Sequence, residues 1–185
     1  MRPQKIQDGE LLAALSDVFR NKGYEGASLK ELSEATGLQK ASLYHRFPNG
    51  KKEMAEAVLN EMDQWVTQNI FKTLEQEGIT PTIKLKNSLD QISKLYNGGK
   101  DNCIFRALSM QEGFDLFHDV ITKGFAGWLK SFKSLGLSMG QSDQLAEKNA
   151  IQTLIDIQGS LMLSKAMQDT IIFKNTLKQI EERYS

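Results

Sequence analysis

One stretch constrains the fold of this chain more than any other: it runs from Ser28 to Lys52 and reads SLKELSEATGLQKASLYHRFPNGKK. Ser28 is a favourable helix N-cap, and Glu31 follows at the spacing of a capping box, in which each residue satisfies a backbone donor of the other. Gly37 can adopt the positive φ that ends a helix at little cost. The stretch therefore predicts a short helix, a tight turn and a second short helix.

The second short helix, predicted from Gln39 to Tyr44, is polar and cationic on its outer face. Its outward side chains are mostly Gln39, Lys40, Ser42 and His45. From Ala35 through Lys52 the chain has four basic residues and no acidic one. Two short helices joined by a tight turn are typical of a helix-turn-helix unit, and a polar, cationic second helix is suited to the major groove of DNA.

Several sequence elements surround this unit in a fixed order. They are Phe19, Gly23-Tyr24, Ala27-Ser28, Gly37-Leu38, the run Ser42-Leu43-Tyr44-His45-Arg46-Phe47, and Lys51 or Lys52. Together they resemble the amino-terminal signature of the TetR family of transcriptional repressors. The resemblance implies an all-α chain, with a helix-turn-helix DNA-binding domain in residues 1–50. It also implies a helical effector-binding and dimerisation domain in residues 51–185, in which residues 51–77 form a linking helix.

We predict DNA contacts by nine side chains: Ser28, Lys30, Gln39, Lys40, Ser42, Tyr44, His45, Lys51 and Lys52. Glutamine can pair with adenine and lysine with guanine, which places Gln39 and Lys40, with Ser42, at or near base edges. The others are expected to contact phosphates and set the register. The spacing after Phe47 leaves open whether Lys51 or Lys52 takes the main phosphate contact. A structural role for Tyr44, or a solvated face that binds nothing, is the alternative.

The basic character of the chain is local. Formal net charge is zero overall, but residues 1–54 contain nine Lys and Arg against seven Asp and Glu, and the remainder is acidic by the same margin. This pattern favours docking at specific sites over general adhesion to polyanions.

Hydrophobic periodicity predicts helices along the whole chain. The first should run from Ile6 to Lys22, with Leu11, Leu15 and Phe19 on one stripe and Gly23 at its end. Later helices are expected at residues 51–77, 81–96, 103–112, onward to 135, 142–168 and 169–182. No alternating strand pattern occurs, so the predicted fold class is all-α.

The resemblance implies a small effector that loosens DNA binding. Nine residues are candidates for its pocket: Cys103, Phe105, Arg106, Met110, Phe114, Phe117, His118, Phe125 and Trp128. Their aromatic and methionine content favours a bulky apolar or flat ligand. Core packing is the alternative for the aromatic residues, and surface exposure is the alternative for Arg106 and His118. Cys103 is either an inert small side chain or a redox sensor.

The last two helices carry more apolar surface than one side can bury. We predict that they pair with the same helices of a second chain through Leu154, Ile157, Leu161, Phe173, Leu177 and Ile180. Such a homodimer would present two recognition helices to successive major grooves of a near-palindromic operator. The alternative is that these faces pack against the chain's own body.

Other functional classes find little support. The two histidines, His45 and His118, are far apart, and neither a nucleophile elbow, a phosphate-binding glycine loop nor a CxxC pair occurs, so we expect no enzyme, cofactor or metal site. No early apolar run resembles a signal peptide and no stretch approaches a membrane span, which predicts a cytoplasmic protein without a membrane partner. Two alternatives stay open: a ligand-binding or partner-binding protein whose head no longer reads DNA, and an activator instead of a repressor.

Overall fold

The computed structural model describes residues 6–184, and within this range the chain forms ten α-helices and no strand. The helices are α1 Asp8–Gly26, α2 Leu29–Thr36, α3 Lys40–Arg46, α4 Lys51–Val66, α5 Lys72–Glu75, α6 Pro81–Leu95, α7 Ile104–Ala107, α8 Gln111–Ser138, α9 Asp143–Met167 and α10 Ile171–Tyr184. The predicted all-α class is confirmed.

The two short helices of the amino-terminal region form where the capping signals predict them. The Ser28 hydroxyl accepts from the Glu31 amide at 3.2 Å, and a Glu31 carboxylate oxygen accepts from the Ser28 amide at 3.0 Å. Gly37 ends α2 with φ +65°. Leu32 of α2 and Leu43 of α3 are fully buried, so each short helix is held by one large apolar side chain in the interior.

Helix α1 is the third helix of this amino-terminal region. Leu11, Leu15 and Phe19 are buried along one stripe, as predicted. The helix was predicted to end at Gly23. Instead, Gly23 forms a kink with φ +71° and the helical segment continues to Gly26. The extra turn buries Tyr24.

The predicted linking helix contains a local change of winding. A π-helical turn, Thr67–Phe71, separates α4 from α5, which ends at Glu75. A Cβ atom on Gly127 would lie 2.8 Å from the Phe71 ring, and that ring packs edge-on against Trp128 with centroids 5.7 Å apart. The wider turn allows Phe71 to reach the space beside Gly127. No glycine or proline marks this turn in the sequence.

The remaining helices lie close to their predicted positions, with one exception. The helix predicted for residues 103–112 is only the short α7, and α8 begins at Gln111 in a left-handed conformation with φ +48°. Nothing in the side chain of Gln111 indicates this conformation. A 3₁₀ turn, Asn97–Gly99, leads out of α6.

The described residues divide into two compact units. Unit 1 comprises the residues up to Asp63 together with Ile104–Ile121, and unit 2 comprises Gln64–Cys103 together with the residues from Thr122 onward. The chain therefore passes between the units three times: inside α4, between Cys103 and Ile104, and inside α8. No helix among residues 6–184 is long and apolar enough to span a membrane.

Candidate nucleic-acid interface

Helix α3 exposes most of the side chains predicted to read DNA. Gln39 is the N-cap of α3 and makes no capping hydrogen bond with its side chain. Gln39, Lys40 and His45 are exposed and Ser42 is partly exposed, whereas Leu43 faces the interior. The helix therefore has one anchoring face and one polar face, which is the arrangement needed to place amide, ammonium and hydroxyl groups in a groove.

The tight turn before α3 is held by side-chain hydrogen bonds. The Ser33 hydroxyl donates to the Leu38 carbonyl, and the Thr36 hydroxyl donates to the Leu32 carbonyl at 2.7 Å. Thr36 is itself buried. These bonds satisfy polar groups at the end of α2 and in the turn that leads to α3.

Tyr44 lies at the end of α3, beside the start of α4. Its side chain is 45% exposed, and a Cβ atom on Gly50 would lie only 3.2 Å from Tyr44 Cε1. Gly50 has φ +69° and donates its amide to the Phe47 carbonyl at 2.8 Å. The absence of a side chain at Gly50 thus lets the tyrosine ring lie against the backbone while its remaining surface faces solvent.

The two candidate lysines at the start of α4 have different surroundings. Lys51 donates to the Tyr24 carbonyl at 2.8 Å, and its ammonium lies 4.3 Å from the centre of the Tyr24 ring. Lys52 is exposed, and its nearest acidic partner is Glu56 at 3.8 Å. A pair at that distance between half-exposed side chains contributes little, so the Lys52 ammonium can be redirected at small cost.

Ser28 and Lys30, the two DNA contacts predicted at the start of α2, also have different surroundings. Besides its capping role, the Ser28 hydroxyl donates to Glu31 at 2.9 Å. The backbone amide and hydroxyl of Ser28, followed by Lys22, lower the pKa of Glu31 to about 2. Lys30 extends into solvent, with its ammonium 3.8 Å from Glu34.

Arg46 has a structural partner that the sequence did not indicate. Its guanidinium pairs with Asp8 at 3.1 Å and donates to the Ile6 carbonyl at 3.2 Å. Arg46 therefore ties the end of α3 to the start of α1. Gln39, Lys40 and His45 remain exposed on α3, with Lys52 exposed at the start of α4.

Comparison with known proteins places this architecture in a family. The model described as "Bacterial regulatory proteins, tetR family" matches residues 11–58, which run from α1 into α4. Residues 11–58 therefore form a domain of the TetR-family type. The chain is a DNA-binding transcriptional regulator and not an enzyme.

Two curated proteins are similar to this chain over most of its length. It is 23% identical over 160 residues to the HTH-type transcriptional regulator LmrA of Bacillus subtilis (strain 168), covering 84% of each chain. It is 22% identical over 181 residues to the HTH-type transcriptional repressor DhaR of Mycobacterium sp. (strain GP1), covering 90% of each chain.

Solved structures share the fold of this chain. A TetR transcriptional regulator from Legionella pneumophila has a TM-score of 0.82 at 18% identity, with 98% of each chain covered. A cysteine mutant of the TetR-family regulator CifR, complexed with 26-bp double-strand operator DNA, has a TM-score of 0.74 at 18% identity, with 99% of this chain and 98% of that chain covered. Both support an amino-terminal helix-turn-helix head followed by a helical body.

The nine predicted effector-pocket residues are divided between the two compact units. Unit 1 contains Phe105, Arg106, Met110, Phe114, Phe117 and His118, and unit 2 contains Cys103, Phe125 and Trp128. Cys103, Phe105, Phe117 and Trp128 are buried, whereas Met110, Phe114 and His118 are exposed. The effector pocket stays a prediction.

The structure corrects the residues offered for a dimer surface. Five of the six predicted contacts are buried inside unit 2 of the chain itself: Ile157, Leu161, Phe173, Leu177 and Ile180. These side chains cannot add contact area with a second chain, because solvent does not reach them in one chain. Only Leu154 is partly exposed. Helix α9 does expose apolar side chains, among them Ile151, Ile155 and Met162.

Proposed function

We propose that this chain is a homodimeric repressor that occupies a near-palindromic operator and is released from it by a small, largely apolar effector. In this proposal residues 1–50 read DNA, and residues 51–185 bind the effector and dimerise. The polar outer face of α3, anchored by Leu43 and flanked by Lys52, is the observation that carries the proposal. The relative named as a repressor, DhaR, supports repression over activation.

The DNA contacts divide by chemistry. Gln39 and Lys40 head the exposed face of α3 and carry the groups that pair with adenine and guanine. Ser42 lies one helical step further along and can reach a base edge or the adjacent backbone. Tyr44 and His45, at the far end of the helix, are placed for phosphates and set the register.

Of the two lysines, we propose that Lys52 makes the main phosphate contact. The ammonium of Lys51 is occupied by the carbonyl and ring of Tyr24. A phosphate would have to displace both contacts, whereas at Lys52 it competes only with a long pair to Glu56. Ser28 and Lys30 are proposed as weaker contacts from the start of α2.

The proposed dimer uses the solvent side of α9. Its exposed apolar side chains are Leu145, Ile151, Ile155, Met162, Leu163 and Met167. Ile151, Ile155 and Met162 recur at helical spacing on the side opposite the buried residues, and a helix that is apolar all round is normally covered. The polar residues beside Ile151, among them Glu147 and Lys148, would form the rim of the contact.

A two-fold dimer gives the regulator its geometry. Each α3 would enter one major groove, with centres about 34–36 Å apart on the duplex. An effector that favours a different conformation of the body would alter this spacing. A differential affinity of about 1–3 kcal/mol between the two states would release the operator to a useful degree. We propose that α4 transmits the change, and that the protein acts in the cytoplasm, where the chromosome lies.

Selection of bound DNA from a random double-stranded pool tests the proposal. We expect an enriched sequence with two inverted half-sites about one helical turn apart. Affinity for it should exceed that for random DNA by about 10³-fold or more and should fall steeply with salt. A pool without enrichment, or an enriched site with no symmetry, would contradict the proposal. Measuring transcription from a promoter carrying the site, with and without the protein, separates repression from activation.

A further inference from the structure

A segment from the second half of the sequence packs inside the DNA-binding unit. Residues Ile104–Ile121, which form α7 and the start of α8, belong to unit 1. The Ala107 carbonyl lies over Gly23, where an added Cβ atom would be 3.3 Å away. Beyond Ile121, α8 continues into unit 2. Residues Ile104–Ile121 therefore pack within unit 1, and at their end the chain continues along α8 into unit 2.

One hydrogen bond joins the first turn of α8 to the end of α1. The Gly113 amide donates to Glu25 Oε1 at 3.0 Å, although the two residues are 88 positions apart. Partial burial opposes ionisation of Glu25, but backbone N–H groups of Glu25, Gly113 and Glu112 outweigh it and lower the pKa of this carboxyl. The Glu25 carboxylate thus accepts orphan amides at a helix start, where a negative charge is favourable.

The same turn of α8 is sterically tight and conformationally strained. A Cβ atom on Gly113 would lie 2.7 Å from the Leu108 carbonyl oxygen and 3.2 Å from Tyr24 Cβ. Two residues earlier, Gln111 is held at φ +48°, a conformation that costs a residue other than glycine free energy. Such strain persists only where the surroundings fix the backbone, and it is typical of segments that switch.

Tyr24 connects this turn to the proposed DNA contacts. On one side its ring packs edge-on against Phe117 of α8, with centroids 5.2 Å apart. On the other side it receives the ammonium of Lys51, the first residue of α4. The next residue toward α3 is Gly50, against which Tyr44 packs. A continuous chain of contacts therefore runs from α8 to the end of the recognition helix, all of it within unit 1.

We propose that the contacts of Gly113 with Glu25 and of Phe117 with Tyr24 form a clasp that controls the operator affinity of the head. While the clasp is closed, Tyr24 fixes the start of α4 and, through Gly50, the position of Tyr44. A shift of α8 that opens the clasp relieves the strain at Gln111 and loosens α3. This inference rests on the proposed function, because it names how the body regulates the DNA-binding surface.

Three variants of the 185-residue chain test the clasp. Glu25→Ala removes the acceptor of the Gly113 amide, Glu25→Gln keeps a carbonyl oxygen there, and Glu61→Ala removes an exposed carboxylate further along α4 as a matched control. Amide hydrogen exchange is followed by mass spectrometry in residues 111–117, in residues 40–52, and in α9 as an internal reference. Affinity is measured for the duplex selected from the random pool.

We expect Glu25→Ala to speed exchange about 10-fold or more in both head segments and to leave α9 unchanged. Operator affinity should fall about 5-fold or more, within the range of known couplings. Glu25→Gln should restore most of both properties, and Glu61→Ala should match the wild type. Faster exchange in residues 111–117 with unchanged exchange in residues 40–52 would overturn the clasp.

A fourth variant covers the case in which loss of the Glu25 carboxylate unfolds unit 1. Gly113→Ala leaves all charges in place but forces the first turn of α8 away from Leu108 and Tyr24. It should produce the same exchange pattern and the same loss of affinity. If the random pool yields no binding site, the proposed function fails, and the exchange measurements still decide whether the clasp controls residues 40–52.

Discussion

The ammonium of Lys51 lies over the ring of Tyr24, 4.3 Å from its centre, and also donates to the Tyr24 carbonyl oxygen. Burial, followed by the nearby carboxylates of Glu112, Glu25 and Glu56, raises the pKa of Tyr24, so this tyrosine stays neutral and its ring keeps the electron-rich face that attracts a cation. The first lysine of α4 is therefore a structural link, and its neighbour Lys52 is left for an external anion.

Substitution of Lys52 should weaken DNA binding, whereas substitution of Lys51 should destabilise the fold. Lys52→Ala should weaken operator binding uniformly across sequences and reduce the logarithmic salt slope by about one unit, because one phosphate contact is lost. Its thermal stability should match that of the wild type. Lys51→Ala should instead destabilise the fold by about 1 kcal/mol through loss of the cation–π contact and the hydrogen bond. Fluorescence anisotropy over a salt series, with calorimetry of each variant, measures both effects.

A Lys52→Ala protein with an unchanged salt slope would remove Lys52 from the DNA surface. The phosphate contact would then pass to Lys51, which would have to leave Tyr24 on binding.

Gln39 should affect sequence preference more than stability. Its side chain makes no capping bond and is exposed, so Gln39→Ala costs the fold little. If Gln39 reads a base, the variant should lose about 1–3 kcal/mol of discrimination at one position of each half-site and little elsewhere. Repeating the pool selection with the variant measures this directly. Equal loss at every position would assign Gln39 to the backbone instead.

Glu31 should make the stability of the head sensitive to acid. Its pKa in the folded chain is about 2, below its ordinary value of 4.5, so its stabilising effect is complete above pH 4.5 and disappears as the pH falls from 4.5 toward 2. Glu31→Gln should show a smaller fall in melting temperature across this window than the wild type. Exposed Glu61, changed to Gln, is the control and should follow the wild type. Parallel curves for all three proteins would contradict the capping-box account.

The capping hydroxyl itself should be measurable at neutral pH. Ser28→Ala removes the acceptor of the Glu31 amide and should cost about 1 kcal/mol of folding free energy, as N-cap replacements typically do. Urea unfolding at pH 7 measures the change. Ser28→Thr should recover most of it, and failure of that recovery would indicate a role for Ser28 beyond capping.

A charge on the solvent side of α9 should separate the proposed dimer. Ile155 is 57% exposed, so Ile155→Lys can be accommodated in one chain, whereas an unpaired lysine inside an interface costs several kcal/mol. Sedimentation should show a monomer with unchanged helicity, and operator affinity should fall about 100-fold or more because two half-sites are no longer linked. Ile83→Lys, at a residue of α6 that is 50% exposed, is the matched control. A dimeric Ile155→Lys protein would place the contact elsewhere.

Two adjacent glycines provide an internal comparison for unit 2. A Cβ atom on Gly99 would lie 2.7 Å from Phe173 Cβ, whereas one on Gly98 would meet no atom within 4 Å, and both residues have positive φ. Gly98→Ala should cost about 1 kcal/mol from backbone strain alone. Gly99→Ala should cost about 1–3 kcal/mol more, because α10 must move. Equal effects in urea unfolding would mean that Phe173 adjusts without cost.

Features governed by neighbouring residues were predictable from the sequence. Ser28 with Glu31 and the positive φ of Gly37 are local, so α2 and its limits are confirmed. The apolar stripe of α1 is equally local. These signals, with the family resemblance, were enough to predict the all-α fold and the helix-turn-helix head.

Features that depend on distant partners were not predictable. Phe71 of the π turn lies against Gly127, and Gly113 in the first turn of α8 donates to Glu25, and both partners are far away in sequence. Periodicity also cannot tell which of two apolar faces is buried, so Ile157 was assigned to a dimer surface although it lies in the core. Spacing likewise did not decide which of Lys51 and Lys52 makes the phosphate contact. The two lysines differ in that Lys51 contacts Tyr24.

The position of Gly50 has an evolutionary consequence. A Cβ atom at this residue would lie 3.2 Å from Tyr44 Cε1, and its φ of +69° disfavours other amino acids, so this corner resists substitution. Gln39 and Lys40 carry no comparable structural duty. Mutational drift can therefore alter which promoter the regulator recognises while the scaffold that presents the recognition helix stays the same.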